Sequence, residues 1–154
     1  MSKFCIGIIP ESSTIPLHPE ILEEVKAFAE KLGFEFTPGC IYEEPFIAQT
    51  LNPSDSAFEL TKDGVAEKIL CPDWCQYNDE LPSIRLKDRL FGLQTLIQFI
   101  IQYAPRIDLY IGESGCEWND FLHHSVKVSE TVAILESECE NHSGITDIHL
   151  SINK

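Results

Sequence analysis

The sequence predicts an α+β protein (α/β mixed): a single mixed β-sheet with helices packed on it, organised around one central long helix over residues 83–104. Three observations predict this. Short β-branched runs alternate apolar and polar residues with a period of two. Longer segments repeat apolar residues every three or four positions. The two patterns interleave along the chain instead of falling into separate blocks. At 154 residues and 44% hydrophobic content, the chain suits one folded domain, 1–154, with mass enough for one continuous core.

The elements follow in order. Residues 3–9 read as a buried strand, apolar and β-branched, closed by Pro10. Residues 11–17 form a loop. Pro19 fits the first turn of a helix, and Glu20, Glu23 and Glu24 lie near its positive end. Ile21, Leu22, Val25, Phe28, Ala29 and Leu32 recur at helical spacing, and Gly33 falls where a C-terminal cap is expected. Residues 34–37 read as a second strand, followed by a Pro38-Gly39 turn.

The middle of the chain is β-rich. Strand-like pieces occupy 40–42 and 46–51. Asp63-Gly64 between the runs 57–62 and 65–70 signals a hairpin, because both turn positions need positive φ. The rival is a short helix over 61–70, which Gly64 weakens. Residues 71–82 are polar and proline-bounded, a loop.

Ser83 opens the clearest element. Leu86, Leu90, Leu93, Ile97, Ile100 and Ala104 step by three or four, and Leu96, Phe99 and Tyr103 widen the apolar face. Gln94, Gln98 and Gln102 form a narrow polar stripe, and Pro105 ends the helix. In the strand 107–111, Ile107, Leu109 and Ile111 share one face, and Asp108 and Tyr110 the other. Residues 121–129 alternate again, with Phe121, His123, Ser125 and Lys127 against Leu122, His124, Val126 and Val128. A helix over 130–140 has Val132, Ala133, Leu135 and Cys139 for packing. A last strand over 145–152 puts Ile148, Leu150 and Ile152 on one face.

Charge is the strongest feature of the composition. The formal net charge is −14, and between Asp108 and Asp147 the acids stand against a lone Lys127. Such a surface repels phosphate backbones and anionic head groups, which argues against nucleic-acid and membrane-surface roles. It attracts a cationic protein partner over a long range. Neither a secretory signal nor an apolar span of membrane length stands out, so a cytoplasmic location is expected. The six cysteines are then expected to be reduced.

The stretch "LYIGESGCEWND", residues 109–120, holds the nearest approach to a catalytic motif. A hydrolase elbow reads G-x-S-x-G between strand and helix. Here Gly112-Glu113-Ser114-Gly115-Cys116 replaces the last glycine by cysteine, and a strand pattern follows. Glycines between two strands suit a hairpin loop. Ser114 or Cys116 with His123 or His124 therefore stays as an alternative, a small hydrolase or thiol enzyme, with no obvious acid partner. Cys71 and Cys75 are separated by three residues and lack a second ligand pair, so neither a metal nor another cofactor is expected. Arg85, Lys87 and Arg89 open the long helix without a preceding phosphate loop, which favours surface ion pairs over an anion site. The candidate partner-binding residues are Asp108, Glu113, Glu117, Trp118, Asp120, Glu136, Glu138 and Glu140: an aromatic anchor beside steering carboxylates.

The segment "RIDLYIGESGCEWNDFLHHSVKVSETVAILES" followed by "GITDIHLSI" resembles, in its order of strand, acidic turn, strand, helix and strand, some bacterial immunity proteins that neutralise polymorphic and contact-dependent inhibition toxins. The small size and acidity of the chain share that character. The resemblance implies stoichiometric binding: an acidic face docks on a basic toxin, often a nuclease, and blocks its active site or substrate groove. An acidic adaptor subunit of a cytoplasmic complex is the remaining alternative.

Overall fold

The computed structural model describes residues 4–11, 17–38, 58–61, 86–113, 121–141 and 147–154. They form one mixed sheet of six strands with three α-helices, as the sequence predicts. In chain order the elements are β1 (Phe4–Glu11), α1 (Pro19–Lys31), β2 (Glu35–Pro38), β3 (Phe58–Thr61), α2 (Leu86–Ile100), β4 (Arg106–Glu113), β5 (Phe121–Lys127), a 3-10 turn (Val128–Glu130), α3 (Thr131–Asn141) and β6 (Asp147–Asn153). The strand order is β2-β3-β1-β4-β6-β5. Every neighbouring pair is antiparallel except β5 and β6, which are parallel.

Helix α1 starts and stops where its sequence dictates. Pro19 takes the first turn, and the His18 side chain accepts from the Glu20 amide at 3.4 Å. Gly33 has φ of 87°, the left-handed conformation that a side chain disfavours. This lets the Gly33 amide reach the Glu30 carbonyl and the Phe34 amide reach the Ala29 carbonyl, each at 3.0 Å. The pair of bonds is a Schellman cap, and the apolar contact that accompanies it is Phe34 with Ala29, both in the core.

The core lies between the helices and one face of the sheet. Ile6 and Ile8 of β1, Phe58 and Leu60 of β3, Ile107, Leu109 and Ile111 of β4, and Ile148, Leu150 and Ile152 of β6 meet Val25 and Ala29 of α1, Leu135 of α3, and the α2 row Leu90, Leu93, Leu96, Ile97 and Ile100. Helix α2 touches both α1 and α3, so it is the centre of the helical layer. Phe28 stacks on Phe99 at 4.5 Å between ring centroids, joining α1 to α2. Gln94, from the polar stripe, donates to the Val128 carbonyl at 3.2 Å and ties α2 to the turn before α3.

Three expectations change. Strand β1 runs through Pro10 to Glu11, with Pro10 in register with Ile107. Proline lacks an amide donor, and here it lies past the last described β3 partner, at Ile8↔Phe58. Second, β4 and β5 are not a hairpin. Strand β6 lies between them and pairs with both. The burial patterns explain the order. From Asp147 to Leu150, β6 is buried on both faces and belongs in the middle, whereas β5 alternates and serves as an edge. The β5–α3–β6 connection is a parallel crossover, for which a helix is the usual bridge. Third, Ala133, expected to pack, is exposed on α3, whereas Leu135 is fully buried. The hairpin expected at Asp63-Gly64, the pieces at 40–51, Ser83 and the loop at 71–82 lie outside the described residues.

Candidate functional site

Alternation in β4, β5 and β6 leaves a second sheet face, opposite the helices. Asp108 and Tyr110 of β4, His149 of β6, and Phe121 and His123 of β5 occupy it, because each is one residue out of phase with the core-facing set. Register fixes who meets whom: Tyr110 is opposite His149, and His149 is opposite His123. The Tyr110 ring stacks on His149 at 4.6 Å and meets Phe121 edge-on at 5.7 Å.

These side chains form a polar line across three strands. His149 Nε2 lies 2.8 Å from Asp108 Oδ1, and His149 Nδ1 lies 2.9 Å from His123 Nδ1. Arg106 Nη2 is 3.1 Å from Asp108 Oδ2, close enough for an ion pair but off the hydrogen-bond direction, so that contact is electrostatic. Asp108 and His149 are buried, at 3% and 7% exposure, whereas His123 is on the open end of the line. A buried carboxylate is tolerable only when bonded and charge-compensated, and here both conditions are met.

The two adjacent histidines therefore diverge. His123 joins the line on the second face. His124 points to the helix side, where its Nε2 lies 3.1 Å from Glu138 Oε1 of α3. Strand geometry requires this, since successive side chains leave a strand on opposite faces.

Of the candidate partner-binding residues, Asp108 lies inside the protein and not on its acidic surface, because His149 and Arg106 hold it there. Glu136 and Glu138 are part-exposed on α3. Glu113 closes β4 and Glu140 lies near the end of α3. Glu117, Trp118 and Asp120 lie outside the described residues, as do Ser114, Cys116, Cys71 and Cys75. Glu113 and Phe121, which bound the segment 114–120, sit at the same end of the sheet. Phe4 pairs with Glu113 there, and Phe121 with Asp147.

Gly112 shows how tightly this end is built. A Cβ at this position would stand 2.9 Å from Asp147 Oδ1 and 3.2 Å from two Phe121 ring carbons. The glycine allows the carboxylate and the ring to approach the backbone of β4.

Among the described residues no group of three or more His, Cys, Asp and Glu is arranged to hold a metal ion. None of their helices is long and apolar enough to cross a membrane.

The sequence placed Asp108 and His123 on strand faces but did not join them, because the join needs β6 between β4 and β5. One signal was present: His149 interrupts the apolar run of the last strand, in "DIHLSI", and a histidine in a strand buried on both faces needs a partner.

Compared with protein-family models, with curated proteins and with solved structures, the chain matches none of them.

Proposed function

We propose that the chain is a non-enzymatic acidic binding protein, an immunity protein that neutralises a cognate basic toxin, foremost a nuclease, by stoichiometric binding. One observation carries this reading: the topology collects acids from separate parts of the sequence at one end of the sheet. Glu113 ends β4 beside the start of β1. Helix α3 runs back along β5 toward this same end, so Glu136, Glu138 and Glu140 approach it in turn. Glu117, Trp118 and Asp120 belong to the segment bounded by Glu113 and Phe121. Convergent carboxylates raise the local potential far above that of one exposed charge and steer a cationic partner. A net charge of −14 supports the same sign of partner.

Immunity genes lie directly beside their toxin genes, which fixes the experiment. The chain is co-expressed with the product of its neighbouring gene, and co-purification is tested for the wild type and for Glu113→Lys combined with Asp120→Lys. Co-purification lost on charge reversal supports the reading. An unaffected complex removes this end as the interface, and no complex removes the proposed partner.

A second reading has one observation in its favour. The Asp108–His149 bond lies behind His123, as an orienting carboxylate does behind a catalytic base. A hydrolase or thiol enzyme using Ser114 or Cys116 with His123 would react with serine- or thiol-directed covalent probes, and would lose that labelling on His123→Asn. His124, the other histidine of this alternative, faces the opposite side of the sheet, with Nε2 3.1 Å from Glu138 Oε1.

A further inference from the structure

We draw no further inference here: the strongest candidate, the surface patch on α2 where the Phe91 side chain is 70% exposed, carries nothing because nothing in the structure shows what covers it.

Discussion

Replacing Asp108 by alanine is the sharpest perturbation the structure offers. The carboxylate is buried and serves two neighbours. Its removal strands the His149 Nε2 hydrogen, whose side chain is only 9% exposed, without its acceptor. A buried donor left unsatisfied costs about 1–3 kcal/mol. The Arg106 arm adds less than about 1 kcal/mol, since that side chain is 40% exposed and water takes over its charge. Asp108→Ala is therefore expected to lose about 2–3 kcal/mol. Asp108→Asn keeps a neutral acceptor at nearly the same place and gives up only the charge assistance, about 1 kcal/mol. Urea unfolding at neutral pH, followed by circular dichroism, measures both. The midpoint should move in the order wild type, Asn, Ala, with the slope unchanged. If Ala stays within about 0.5 kcal/mol of wild type, or if Asn costs as much as Ala, then the His149 bond is not what makes Asp108 matter.

Two glycines make opposite predictions. Gly112→Ala should lower the melting temperature, because the added carbon meets Asp147 and Phe121 inside contact distance and both are buried; the expected cost is about 1–3 kcal/mol. Gly92→Ala should raise it, with a stability gain of about 0.5–1 kcal/mol, because the new carbon meets the Phe34 ring at an ordinary 3.6 Å and the change removes a glycine from the interior of α2. Thermal unfolding of the two variants side by side checks both signs.

Elements with a strong period were readable from the chain alone. Helix α1 announces its start at Pro19 and its stop at Gly33, and the local rules that choose those residues are the rules that the structure obeys. The core faces of β4 and β6 follow from alternation, because a period of two assigns every side chain to a face once the strand is identified. Strand order is different information. The "GESG" stretch reads locally as a hairpin turn. In the structure β6 is buried on both faces from Asp147 to Leu150 and lies between β4 and β5, an order that local turn chemistry does not encode. The Asp108–His149–His123 line depends on that order, so its members were visible as residues but not as a group. Asp108 read as part of an acidic surface for the same reason: in sequence it stands among carboxylates, while in space it stands against a histidine and an arginine.

Acidic docking is the central claim, and calorimetric titration of the purified chain against the neighbouring gene's product, at low and then at high sodium chloride, tests it most directly. One-to-one binding is expected, with an affinity that falls at least about tenfold with added salt, as screening removes the attraction between the acidic end and a cationic partner. Binding of equal strength at both salt concentrations, or heat signals that show no binding at either, would contradict it.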